Sequence, residues 1–502
     1  MSSTVTTPRE AFQGNDKLLL GLVLSIVSYW LFAISLGTVA PAVMTALNGP
    51  LPEGAKTWPS PLLSPTSMNL AVALTGLVSG LFIVLLGGLA DRYGRVRLTL
   101  IGNALNVVGC ILIVFASGSL AAPLLIIGRA IQGLSAACVM PATIAMVKAY
   151  WDGPARQRAV SMWSIGSFGG AGLAAFVGGL TATYLGWRWI FVFSIVVSII
   201  AAVLVFGTPE SKVEQTGTHK RFDFAGLLVF LIMMLALMVL LTFGGKTFAW
   251  ISLTGMTMVA IFVIGVIVFF LLERARDDAF IDFRLFKNMN FTGTVTANFA
   301  LNSTLGLLIV SQQLLARDDR VGPLQAGAMT LGYPLMVILF IRAGEKLLQK
   351  FGPRRPMIWG SLLVALAAAM LMPTNLLLTQ YRPLAIVAYA FFGLGLAFFA
   401  TPATDACLTS LPPDQAGSGM GIFKMASSLG GAIGTAVALS LFLGFSGADH
   451  TILGDVIHME GRQDNIAIRE AATIALGAML VFALIAALVA ALAVPKGKKQ
   501  EA

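Results

Sequence analysis

Two ionisable side chains stand deep in apolar sequence. Asp405 lies in "TPATDACL" and Lys424 in "GIFKMASS", on either side of a short polar turn centred near Asp414. They lie almost equally far from that turn, so an antiparallel helical hairpin would bring a carboxylate and an ammonium to similar depth. A charge in an apolar segment is costly unless it is paired or has work to do. Burial disfavours an ionised carboxyl while a nearby ammonium favours it, so Asp405 would be poised to take up and release a proton. The plainer alternative is a permanent salt bridge that pins two helices together.

The elements that carry this pair follow from composition. With 57% hydrophobic residues, 11% charged residues and a mean hydropathy of +0.87, the chain reads as an all-α polytopic membrane protein. The net charge of +10 reflects basic loops on one membrane face, and no nucleic acid is expected as partner. Cys110, Cys138 and Cys407 sit singly in apolar segments, which indicates neither a disulfide framework nor a metal site. Fourteen helices are expected: Lys17–Ala46, Met68–Ala90, Arg97–Ala116, Ala122–Tyr150, Ala159–Tyr184, Trp189–Gly207, Phe224–Phe243, Trp250–Leu272, Phe291–Gln313, Leu324–Ala343, Pro356–Leu378, Leu384–Ser410, Ser418–Phe445 and Ala471–Val494. Met1–Asp16 is polar and reads as a cytoplasmic lead-in, not a cleaved signal. With that end inside, most of the 33 Lys and Arg residues fall on the cytoplasmic side, as the positive-inside rule requires.

The sequence also repeats itself. "MPATIAMV" at Met140–Val147 returns as "TPATDACL" at Thr401–Leu408, and Gly169-Gly170 returns at the same spacing as Gly430-Gly431. "GGLADRYGRVR" at Gly87–Arg97 has a weaker partner in "GEKLLQKFGPRR". Two related halves are the mark of a transporter whose site lies between them near the midplane. The expected organisation is a lead-in at 1–16, a six-helix half at 17–207, a linker with two inserted helices at 208–290, a second six-helix half at 291–494 and a cytoplasmic tail at 495–502. Asp405 and Lys424 replace Ile144 and Trp163 of the first half, so the charged pair is an addition to the repeat.

These motifs resemble those of the major facilitator superfamily. "GGLADRYGRVR" is similar to the signature between its second and third helices, "GRAIQGLSAA" to its fourth-helix motif, and "GSFGGAGLAAFVGG" to the antiporter motif of helix five. The helix count points to the fourteen-helix drug/proton antiporter branch. Within it, "RAIQGLSAACVMPATIAMVKAYW" and "GWRWIF" resemble the NorB/NorC-type quinolone efflux pumps. Two features depart from the pattern: Ala171 follows Gly170 where a proline is usual, and helix one carries no acid.

The resemblance implies roles for Arg129 and Asp91, and the residues themselves suggest others, each to be weighed against a plainer one. Proton coupling would fall to Asp405, Lys424 and Arg129; the plainer role for Arg129 is binding backbone carbonyls. Asp91, Arg92, Gly94 and Arg95 would form a gate in which the Asp91 carboxylate meets a helix N-terminus of the other half. For the arginines, interfacial anchoring is the alternative. Gly166, Gly169, Gly170, Gly178 and Gly179 would let helix five approach and slide, or simply pack. A substrate cavity would draw on Tyr29, Trp30, Phe32, Gln132, Trp163, Asn298, Asn302 and Phe398; for any one of them the plainer reading, facing lipid or packing in the core, is favoured over ligand contact. His450, His458 and Asp455 suit a solvated loop better than a metal site, and the five prolines of 48–67 suggest an extended connection.

No phosphate-binding glycine-rich loop suggests ATP drive, and no catalytic constellation suggests an enzyme. The expectation is proton-coupled efflux of amphiphilic drugs such as fluoroquinolones by a monomer in the bacterial cytoplasmic (inner) membrane. Its cofactors are none beyond the proton gradient, and both termini are expected to be cytoplasmic. Rival readings are an exporter of an endogenous metabolite or lipid, and a non-transporting membrane sensor.

Overall fold

The computed structural model describes residues 12–49, 61–211, 224–243, 252–274, 283–316, 328–376, 378–445 and 466–496. Among them no strand occurs. Eleven helices are long and apolar enough to cross a membrane, or twelve if the bent pair Gly153–Ala174 and Phe176–Tyr184 is one span. The shorter apolar helix Ala225–Leu237 stands at the seventh expected position, and a helix at Gly332–Phe351, with Arg342, Glu345, Lys346 and Lys350, stands at the tenth. A polytopic helical membrane fold is therefore present, while the number fourteen is not fixed by these segments. The histidine loop and residues 50–60 lie outside the described residues.

The first group of helices comprises α1 (Asp16–Val27), α2 (Ile34–Asn48), α3 (Pro65–Tyr93), α4 (Arg95–Val114), α5 (Ala121–Tyr150), α6 (Gly153–Ser164), α7 (Gly170–Tyr184) and α8 (Arg188–Val205). Asn15 starts α1 by accepting a hydrogen bond from the Leu18 amide, 2.8 Å. The expected helix one is not continuous. Ser28–Ala33 is a π-helical turn between α1 and α2, and Ile165–Gly169 is another between α6 and α7. The two π segments touch, and such turns favour functional sites. Helix two begins at Pro65, inside the stretch read as extended; Ser64 caps it by accepting from the Ser67 amide. Asn48 holds the near end of that connection, exchanging hydrogen bonds with the Leu63 backbone at 2.9 and 3.0 Å.

Two helices, α9 (Phe224–Phe243) and α10 (Leu253–Arg274), pack on each other. The second group comprises α11 (Met289–Ser303), α12 (Gly306–Ala316), α13 (Gly332–Phe351), α14 (Arg354–Leu371), α15 (Leu378–Ser410), α16 (Ala416–Phe445) and α17 (Ile466–Ala493). The ninth expected helix breaks between α11 and α12, where the sequence runs Ser303-Thr304-Leu305-Gly306 and the Ser303 and Thr304 hydroxyls bond back to Phe299 and Leu301 carbonyls. The two groups meet along two seams. One sets α3 and α5 against α16; the other sets α6 and α7 against α13, with α6 also touching α15.

Candidate functional site

Apart from the Tyr333 hydroxyl, which donates to the Phe168 carbonyl at 3.2 Å, the side-chain hydrogen bonds that cross between the groups among the described residues lie at one end of the bundle, the end rich in arginine and lysine. There α15 finishes at Ser410 and α16 begins at Ala416, so a helix C-terminus and a helix N-terminus lie side by side. Each leaves backbone groups unsatisfied: carbonyls on α15, amides on α16. The first group supplies a matching charge to each. Asp91, at the end of α3, accepts from the Gly417 amide at 2.9 and 2.7 Å and from the Ser418 amide at 3.0 Å. Lys148, near the end of α5, donates to the Leu408 carbonyl at 2.8 Å and also to that of Leu411. Arg95 binds Asp91 at 2.7 Å and reaches the Pro413 carbonyl at 2.9 Å. Negative charge thus meets a positive helix end, and positive charge a negative one.

This arrangement needs two close backbone approaches. Gly87 and Gly417 face each other so closely that a Cβ on Gly417 would stand 2.4 Å from the Gly87 carbonyl oxygen and 2.7 Å from Asp91 Oδ1. Gly94 turns the chain from α3 into α4 at φ +122°, a conformation that disfavours side chains. The carboxylate of Glu210 fills the space beside it and accepts from the Val96 and Arg97 amides at 2.9 and 3.1 Å, capping α4. Arg92 lies instead over the Tyr93 ring.

Asp405 is buried at this end, but its partner is not Lys424. Its carboxylate pairs with the Arg156 Nε of α6 at 3.1 Å, a contact between the two groups. Lys424 is also buried, at 2% exposure. Its ammonium lies over the Trp163 ring at 4.3 Å and near those of Phe168 and Phe423 at 5.4 and 5.7 Å. Arg129 joins neither. It donates to the Ala33 carbonyl at 2.6 Å, to Ala71 at 3.0 Å and to Gln132 Oε1 at 2.8 Å, tying helices one, two and four. The three residues expected to share a proton therefore stand in three separate environments.

That geometry gives Arg129 a testable structural role. Arg129→Lys should lose the forked contacts and lower stability by about 2 kcal/mol or more, seen as a lower melting temperature in detergent. A residue acting only in proton transfer would lose transport at unchanged melting temperature.

The candidate cavity residues also divide. Trp163 is fully buried, donates to Thr143 Oγ1 at 3.0 Å and forms one wall around Lys424. Tyr29 packs edge-on against Trp30, in the same apolar cluster as Trp163 and Phe398. Phe32 belongs to a second cluster with Leu36, Cys110 and Trp187. Asn298 donates to the Phe423 carbonyl at 2.9 Å and Ser427 Oγ at 2.6 Å, tying α11 to α16, while Asn302 donates back to Asn298 one turn away in α11 and holds that amide in place. Gln132 is held by Arg129 and Cys110. Among the helix-five glycines, Gly166, Gly170 and Gly178 sit against helix one. Gly169 faces Ile338 of α13 across the seam, and nothing lies within 4 Å of a Cβ on Gly179. Among the described residues no cluster of three potential metal ligands occurs.

Sequence reading missed Lys148, Arg156 and Glu210. The first two were counted only as positive-inside anchors, and the "TPESK" that follows helix six was the one visible signal for Glu210.

Two groups of membrane-crossing helices, held together at one end by charges of one group on backbone of the other, are the architecture of a two-halved membrane transporter. Comparison with known proteins specifies it. The sequence profile described as Major Facilitator Superfamily matches residues 18–435 and also residues 289–501. The chain is 44% identical over 452 residues to the Quinolone resistance protein NorB of Staphylococcus aureus strain MRSA252, covering 90% of this chain and 92% of that protein. The proton:xylose symporter XylE, bound to 6-bromo-6-deoxy-D-glucose, superposes with a TM-score of 0.63 at 16% identity, covering 96% of each chain. The human organic anion transporter MFSD10 (TETRAN) does so at 0.60 and 15%, covering 94% of this chain and 98% of that one. This chain belongs to the major facilitator superfamily.

Proposed function

We propose that this protein exports amphiphilic drugs, fluoroquinolones among them, in exchange for protons. The observation that carries the reading is the buried Asp405–Arg156 pair, which joins an acid of one helix group to a base of the other. With the pair formed, the arginine-rich end is closed. That end faces the cytoplasm by the positive-inside rule, with both termini on the same side. A proton arriving from outside would neutralise Asp405, release Arg156 and weaken the lock. The halves 17–207 and 291–494 would then rock, the cytoplasmic end would open, and the proton would leave as drug is taken up. The proton gradient is the energy source, and the protein acts as a monomer in the bacterial plasma membrane. Similarity to NorB over most of the chain supports the drug class.

The test is proton flux. In proteoliposomes carrying a pH gradient, norfloxacin should trigger dissipation of that gradient through the wild-type protein. No norfloxacin-dependent flux would sink the drug assignment, and flux on adding a metabolite or lipid instead would make the protein an exporter of that compound.

A further inference from the structure

Among the described residues, the Lys424 side-chain amine has no ion-pair partner. It is buried in the first third of α16, and no carboxylate oxygen of those residues lies within 4.0 Å of its ammonium. The two buried aspartates of this region are committed elsewhere, Asp405 to Arg156 and Asp91 to Arg95 and the α16 amides. What surrounds the ammonium is aromatic: Trp163 and Phe168 from the first helix group, Phe423 from the second. Ring faces attract a cation but supply no hydrogen-bond acceptor with full charge. A buried cation held only in this way is incompletely satisfied, and an arriving anion would gain more from it than from a solvated lysine.

Its place matters too. Lys424 lies seven positions beyond Gly417, whose amide is capped, which puts it about 10 Å further along the helix than the lock. It is therefore beyond the closed end and inside the bundle, at a seam where side chains of both groups meet.

We propose that Lys424 is a carboxylate-binding subsite of the transport path, and that the preferred cargo is an aromatic amphiphile bearing a carboxylate. The inference rests on the export reading above. The Trp163 and Phe168 rings take the apolar part of such a molecule, and the ammonium takes its carboxylate. Because ring and charge come from different helix groups, a cargo bound to both holds the groups together until they rock.

Equilibrium binding to the purified full chain in lipid nanodiscs tests this, with norfloxacin and its methyl ester as probes. They share the ring system and differ in the carboxylate. Wild type should prefer the acid over the ester, Lys424→Gln should cut that preference by about tenfold or more, and Lys424→Arg should retain it. Equal binding of acid and ester to wild type, binding of neither, or an unaltered preference in Lys424→Gln overturns the proposal. Vesicle export of the same two compounds separates this result from the export reading. Export of both without preference leaves an exporter and removes the subsite, whereas selective binding without export keeps the subsite and removes the exporter.

Discussion

Asparagine at position 405 is expected to reduce substrate-driven proton flux to that of protein-free vesicles, while exchange of drug for drug continues. Asn has the shape of Asp and can still accept from Arg156 Nε, so the local packing survives. What it lacks is a group that gains and loses a proton. Arg156 is 18% exposed and can be hydrated at the arginine-rich end when its partner is neutral, so the fold tolerates this change. The reverse replacement is different. Arg156→Gln leaves the Asp405 carboxylate, 7% exposed, without its cation, and breaking a buried pair from that side should cost about 3 kcal/mol. A lower melting temperature for Arg156→Gln, beside a normally stable but uncoupled Asp405→Asn, is the signature of a coupling acid. If Asp405 is only a pin, proton flux in Asp405→Asn will follow the amount of folded protein.

Gly417→Ala should unlock the arginine-rich end. The added methyl would stand 2.4 Å from the Gly87 carbonyl oxygen and 2.7 Å from Asp91 Oδ1, distances that neither backbone nor a carboxylate held by hydrogen bonds from the Gly417 and Ser418 amides can absorb. α3 and α16 must separate, and Asp91 then loses its hold on the α16 amides. Cys407 provides a native reporter: it is fully buried in the locked state, and a buried apolar thiol reacts slowly. A membrane-impermeant maleimide applied from the cytoplasmic side should label Cys407 about tenfold faster in Gly417→Ala than in wild type, a shift of that size requiring only a modest change in population. Unchanged labelling would mean that the glycine contact is not what keeps the end closed.

The class of protein was legible because apolar runs long enough to cross a bilayer have few other uses, and the basic loops fixed their alternation. The Asp91 turn was legible because its residues are contiguous and the helix end they meet has a fixed polarity. The partner of Asp405 was not. Arg156 is 249 positions away, in a basic loop that topology alone explained, and nothing local distinguishes it from its neighbours. Lys424 lay nearer in sequence and drew the assignment, but a hairpin sets depth and not the direction in which a side chain points. The breaks in helices one and five were invisible for a related reason: a π turn adds a residue without changing composition. Asn298 and Asn302 could not be divided from cavity residues because an amide that bridges helices and one that contacts a ligand have the same sequence surroundings.

Apart from the Asp405–Arg156 pair, the contacts at the arginine-rich end read main chain on their second-half side. The partners of Asp91, Arg95 and Lys148 are the amides of Gly417 and Ser418 and the carbonyls of Leu408, Leu411 and Pro413. Those hydrogen bonds therefore do not depend on which side chains stand at 408, 411 and 418, although Leu408 and Leu411 are buried and held by packing. Constraint is uneven: the acid and bases of the first half are constrained by identity, the second half by Asp405, by Gly417 and otherwise by the backbone course of its turn. A transporter built this way can remodel the cargo-facing length of α15 and α16 while its closing device keeps working.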